Sequence, residues 1–154
     1  MADSGRKQIM DRVLALLKTI TLANGYNTQV KKVDETARSY VEIPLKFIPY
    51  LQPMDTDEER ETIAMPIGAS YGQQGILELT VACVVYDSKN RTRTKRLNLM
   101  QDVEKAIMND ATLLALLTDI EPTGVETDDN SIKNYSIWDQ TFDLTYVYDR
   151  DDGG

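Results

Sequence analysis

A chain of 154 residues, 42% hydrophobic and 27% charged, fits one domain with its own core and excludes collagen-like, low-complexity and repeat architectures. Its formal charge of −8 argues against tight sequence-specific nucleic-acid binding, which rests on cation–phosphate contacts. The absence of histidine excludes Ser-His and Cys-His pairs and imidazole ligands, so no enzymatic activity, metal or cofactor is expected.

The charge is unevenly spread. From Met1 to Met54, eight Lys/Arg and five Asp/Glu give +3; from Asp55 to Arg96, six and seven give −1; from Leu97 to Gly154, three and thirteen give −10. Unlike ends on one chain suit contact between copies. The apolar run after M-A-D-S-G-R-K is broken by Arg12 and Lys18, and nowhere do 18 apolar residues run together. Neither a signal peptide nor a membrane span is therefore expected. The single cysteine, Cys83, reads as a small buried hydrophobe in a chain that stays in the reducing compartment where it is made.

In chain order, Ser4 can cap a first helix whose stripe is Ile9, Val13, Leu16, Leu17 and Ile20, and Asn24-Gly25 is expected to end it. Tyr26 to Val33 reads as a short strand, with Lys31, Lys32, Asp34 and Glu35 marking it as solvent-facing. Tyr40 to Ile48 alternates as a second strand, with Val41, Ile43, Leu45 and Phe47 on one face, and Pro44 places it at an edge or a bulge. Residues 49–75 show no sustained period and read as a long loop. Its acidic run D-T-D-E-E-R-E reads first as solvated surface; the alternative is a docking arm ordered on a partner, to which Ile63, Met65, Ile67 and Tyr71 lend weight.

The central strand follows, with Leu77, Leu79, Val81, Cys83 and Val85 inward and Glu78 and Thr80 between them. After a basic turn comes a helix with the stripe Leu99, Val103, Ala106 and Ile107 and with Asp102, Glu104 and Lys105 on its far side. Asp110 caps a short helix, A-T-L-L-A-L-L, whose leucines close the core. Asp119 to Asn130 reads as a loop with one short strand near Val125. A closing strand, Tyr135 to Tyr148, places Trp138, Phe142, Leu144, Tyr146 and Tyr148 on one face and Asp139, Thr141, Asp143 and Thr145 on the other. The segment 149–154 reads as a frayed acidic tail.

These elements predict one α/β (α+β) domain with a mixed, mostly antiparallel sheet and helices on one face. The most informative charged feature is the basic run Arg91, Arg93, Lys95 and Arg96, at the start of the central helix. Cations there oppose the helix dipole by roughly 0.3–1 kcal/mol each. The plain reading is solubility of a turn. The functional one is an inter-subunit or partner contact with acidic surface, which a neighbouring copy can supply through Asp55, Asp57, Glu58, Glu59 and Glu61, or through the stretch from Glu126 to Asp129. Glu126, Asp128 and Asp129 offer oxygen ligands for Ca2+, but their spacing is not that of an EF-hand, and a solvated loop is the plainer reading.

The order helix, two strands, long loop, strand, helices and closing strand is carried by I-x-x-x-V-L-A-L-L into N-G-Y, by G-I-L-E-L-T-V and by W-D-Q-T-F-D-L-T-Y-V-Y. It resembles the tail terminator proteins of long-tailed bacteriophages, of which the lambda-type terminator is the familiar example. The resemblance covers about Arg6 to Tyr148 and consists of patterns rather than an invariant motif. It implies a structural virion protein at the tail–neck junction, assembled in the host cytoplasm as a hexameric ring. Such a ring caps the head-proximal end of the tail tube, ends its polymerisation and meets head-completion or neck proteins. DNA passes through its lumen without specific binding. The resemblance implies no active-site residues. The alternatives are another neck or minor tail protein of this fold, a ligand-binding module with a pocket near Trp138 and Tyr146, and an enzyme using carboxylates alone.

Overall fold

The computed structural model describes residues 5–36, 38–39, 42–63, 72–129 and 131–149. In chain order its elements are α1 (Gly5–Leu17), β1 (Lys32–Val33), β2 (Tyr50–Ile63), β3 (Gly72–Tyr86), α2 (Thr92–Met108), α3 (Ala111–Leu116), β4 (Asp119–Thr127) and β5 (Tyr135–Asp149). The five strands form one sheet in the order β1-β2-β3-β5-β4. β1 runs parallel to β2, and every other neighbour pair is antiparallel. The molecule is thus a mixed α+β domain with its helices on one sheet face.

The core lies where the periodicity places it. Leu77, Leu79, Val81, Cys83 and Val85 alternate inward on β3 and meet Trp138, Phe142, Leu144 and Tyr146 of β5. Ile9, Val13, Leu16 and Leu17 of α1, with Leu99, Val103, Ala106 and Ile107 of α2, cover this surface. Ile20 is buried with them although α1 ends at Leu17. Gly25 ends a separate 3-10 turn, Leu22–Asn24, where its φ of 86° lies in the left-handed region glycine tolerates. Ser4, the expected cap of α1, lies outside the described residues, as does the segment 150–154 of the expected tail.

Several sequence expectations are corrected. Only Lys32 and Val33 of the first expected strand pair, and Asp34 is buried rather than solvent-facing. Its carboxylate accepts the Tyr50 hydroxyl at 2.7 Å and pairs with Arg38 at 2.6 Å. The expected strand from Tyr40 to Ile48, whose Tyr40 and Val41 lie outside the described residues, contains instead a 3-10 turn, Leu45–Phe47. Pro44 and Pro49 remove ladder donors. Ile43 instead packs with Tyr50, Val84 and Ile137 in a small second core, on the sheet face away from the helices.

The expected loop 49–75 is mostly the hairpin strands β2 and β3; residues 64–71, including Met65, Ile67 and Tyr71, lie outside the described residues. The acidic run is strand because its inward positions find polar partners. Arg6 pairs with Asp55 at 2.6 Å, and Glu58 accepts both the Tyr146 hydroxyl at 2.7 Å and Arg60 Nε. Residues 119–127 likewise form a nine-residue edge strand rather than a loop. Asp102 is 1% exposed, not on the solvent side of α2, and accepts the Asn27 backbone N–H at 3.1 Å.

Asp110 caps α3 as the spacing predicts, accepting the Leu113 N–H at 2.7 Å. The same carboxylate receives Arg12 Nη2 and Nε at 2.7 and 2.8 Å, tying α1 to α3. The Arg12 hydrogen bond holds the Asp110 carboxyl below its ordinary 3.8, while burial opposes the shift. Its contribution to stability is therefore full above about pH 4 and is lost as pH falls through the lowered native value. Asp110→Ala is expected to cost about 2 kcal/mol, from a lost cap and a lost charge-assisted pair. Urea midpoints at pH 7 and pH 3 should fall closer together in this variant than in the parent; an unchanged pH dependence would contradict the assignment.

Candidate functional site

The sheet face turned away from the helices is set by register. Opposite the inward core positions, β2 presents Asp57, Glu59 and Glu61, and β3 presents Glu78. β5 presents Asp139 and Asp143, and β4 presents Asp119, Glu121 and Glu126. No Lys or Arg occupies an outward position on these four strands. Threonines cross the middle of the face: Thr56 and Thr80 hydroxyls lie 3.0 Å apart, and Thr123 donates to Thr141 at 2.9 Å. A groove of about 430 Å³ beside them is lined by Glu78, Glu126 and Asp139. Burial first, and then the Glu126 charge, push the Asp139 carboxyl above its ordinary range. That shift reports first the partial burial of the carboxyl and then its like-charge neighbour.

Charge of the other sign collects on the helices and at one sheet end. α1 and α2 each hold more Lys and Arg than Asp and Glu. The basic run sits as expected, with Arg91 at the N-cap position of α2 and no acidic residue in the first turn. Lys95 donates to the Tyr86 carbonyl at 2.9 Å and pairs with Asp87 at 3.5 Å. Hydrogen bonding from the Lys89 backbone N–H, helped by Lys95 and Arg91, holds the Asp87 carboxyl below its ordinary range. Among the described residues Arg93 and Arg96 make no ion pair within the copy, and Arg91 acts on Asp87 through its backbone N–H and its charge without forming a salt bridge.

The acidic candidates divide. Asp55 and Glu58 are used inside the copy, by Arg6, Arg60 and Tyr146, and Glu58's side chain is only 4% exposed. Asp57, Glu59 and Glu61 remain on the outward side, Glu61 accepting Gln74 at 2.9 Å. They stand roughly 30 Å along β3 from the basic run, so one copy does not bring the two patches together. The stretch from Glu126 to Asp129 lies at the same sheet end as the basic run.

As a cation site this acidic stretch fails on geometry. Asp128 accepts the Ser131 hydroxyl and the Ile137 N–H, and Asp129 accepts Thr127, so these carboxylates hold a turn. Among the described residues no group of three or more Asp, Glu or Cys converges as metal ligands. Cys83 is fully buried, and burial pushes its thiol well above the ordinary value, which removes thiolate chemistry. Trp138 and Tyr146, the expected walls of a ligand pocket, are each 1% exposed and are packed into the core.

Alternation on the central strand places Glu78 outward, as found, whereas sequence reasoning missed the outward roles of Asp119 and Glu121. Alternation on the closing strand did reveal Asp139 and Asp143. The remainder needed the register of β2 and β4, whose strands carry no continuous apolar signal.

No protein-family model matches this chain, and no curated protein matches it. Among the described residues no helix is long and apolar enough to cross a membrane.

Proposed function

We propose that this chain is a structural phage protein, a tail terminator whose copies form a ring on the head-proximal end of the tail tube. The ring ends tube growth and joins the tail to the neck. The observation that carries the reading is the separation of charge: among the described residues, β2 to β5 present carboxylates and no Lys or Arg at their outward positions, and a basic helix start lies at one end of the sheet. The β3, β5 and β4 part of this outward face, from Glu78 to Asp143, repels DNA phosphates, so it suits a lumen through which DNA moves without being held. Arg91, Arg93 and Arg96 supply the other half of a head-to-tail contact between copies. The test is mass in solution across protein concentration, followed by electron microscopy with purified tail tubes. Closed rings alone or at tube ends support the reading; a monomer at every concentration that ignores tubes removes it.

Reversing Arg91, Arg93 and Arg96 to Glu should weaken association between copies by about tenfold or more. The same change should leave the monomer as stable as before or slightly more so, because acid near an N-terminus favours the α2 dipole by roughly 0.3–1 kcal/mol per residue in the first turn. Ring titration and thermal unfolding of one sample measure both effects. Undiminished rings from the folded variant would exclude these arginines from the contact.

A further inference from the structure

At the corner where β3 runs toward α2 lies a groove of about 340 Å³ whose lining includes Leu22, Leu45, Ile48 and Pro49. Leu22 and Leu45, at 61% and 54%, are the most exposed large apolar side chains among the described residues, and both line this one groove. Its charged lining residues are Lys31 and Lys95, with no carboxylate among the lining. Two open leucines beside two lysines make a surface for an acidic segment with apolar character.

The chain carries such a segment at the opposite end of the sheet. β1 pairs only with Tyr50 and Leu51, so β2 from Gln52 onward is an open edge among the described residues. Along that edge Asp57, Glu59 and Glu61 alternate outward and lead to Ile63. Glu59 stands opposite Ile76, whereas the groove is lined by Val85 and Tyr86, roughly 30 Å further along β3. A copy's own β2 edge therefore cannot fill its own groove.

We infer that this groove seats the acidic β2 edge of a second copy of this chain, with Lys31 and Lys95 facing its carboxylates and Leu22 and Leu45 covering Ile63. Groove and edge occupy opposite ends of the sheet, so each copy gives one and receives one. That heterologous contact closes into a ring or continues as a filament. The inference rests on the ring reading and names the surfaces that join its copies.

The test uses the whole chain and a charge swap. Lys31→Glu with Leu45→Ser should weaken association between copies about tenfold, and Glu59→Lys with Glu61→Lys should weaken it similarly. Mixing Lys31→Glu chains with Glu59→Lys chains should recover more association than either variant shows alone. All these positions are at the surface, and an unchanged urea midpoint confirms that each variant folds. Rings of parental strength from every variant would overturn the groove while leaving the ring reading standing. Normal association with lost binding to tail tubes would assign the groove to the tube protein instead and overturn the second-copy occupant. A parental chain that never associates would remove the ring reading, and the groove's occupant with it.

Discussion

Trp138→Ala is expected to lower the unfolding free energy by about 3–5 kcal/mol, a large share of the total for a domain of this size. Trp138 is the largest of the fully buried side chains and sits in the cluster joining the sheet to α1 and α2. Truncation removes its apolar contacts and leaves a cavity that neighbours on a regular sheet fill poorly. It also breaks a buried polar chain: indole Nε1 donates to Gln140 Oε1 at 3.0 Å, and Gln140 Nε2 donates to the Met100 carbonyl at 3.2 Å. The Gln140 oxygen would keep only the weak Cys83 thiol at 3.8 Å. Trp138→Phe separates the contributions, because it retains most of the volume and loses the donor; about 1–2 kcal/mol is expected from it. Urea unfolding followed by circular dichroism measures both variants. A loss under about 1 kcal/mol for the alanine variant would mean that the core does not pack around this ring.

Gly75→Ala is the second large effect, expected to destabilise by about 1–3 kcal/mol through overpacking. A Cβ at Gly75 would lie 2.7 Å from Cε1 and 3.0 Å from Cζ of Tyr146. Ring atoms can often swing away, but this ring is held on several sides. Its hydroxyl donates to the buried Glu58 at 2.7 Å, its face stacks on Tyr148 at 5.4 Å, and a Cβ on Gly5 would meet its other edge at 3.3 Å. The two glycines form a slot cut for one tyrosine, so the penalty is specific to that ring. Tyr146→Leu alone should destabilise, yet Gly75→Ala in that background should cost much less than in the parent. Additive costs in the double variant would show that Gly75 is needed for a reason other than this slot.

How much was legible follows from where each element gets its stability. The stripes of α1 and α2 and the alternation of β3 and β5 are apolar patterns, and burial on one face is what such patterns require. Asp110 before a leucine-rich run was legible as a cap for the same local reason. β4 and the part of β2 beyond Pro53 were not legible, because they have no continuous apolar face. β2 fills its inward positions with Asp55, Glu58 and Arg60, whose partners Arg6 and Tyr146 lie far away in sequence. β4 is nearly all exposed and is held by pairing with β5. Asp34 and Asp102 look like surface residues in the chain and are buried where residues distant in sequence reach them, Tyr50 at Asp34 and the Asn27 N–H at Oδ1 of Asp102.

For the candidate site the division is similar. Arg91, Arg93, Lys95 and Arg96 are consecutive enough to be seen as a patch, and the helix start keeps them together. The acidic face joins residues from Asp57 to Asp143 that only strand register aligns. The groove likewise joins Leu22, Lys31, Leu45 and Lys95 from separate segments. Local spacing and charge suffice to specify the helices, the two central strands, the buried cysteine and the basic patch. The edge strands, the one-signed face and the groove depend on pairing between residues far apart in the chain, which no local period encodes, so they emerge only in the folded molecule.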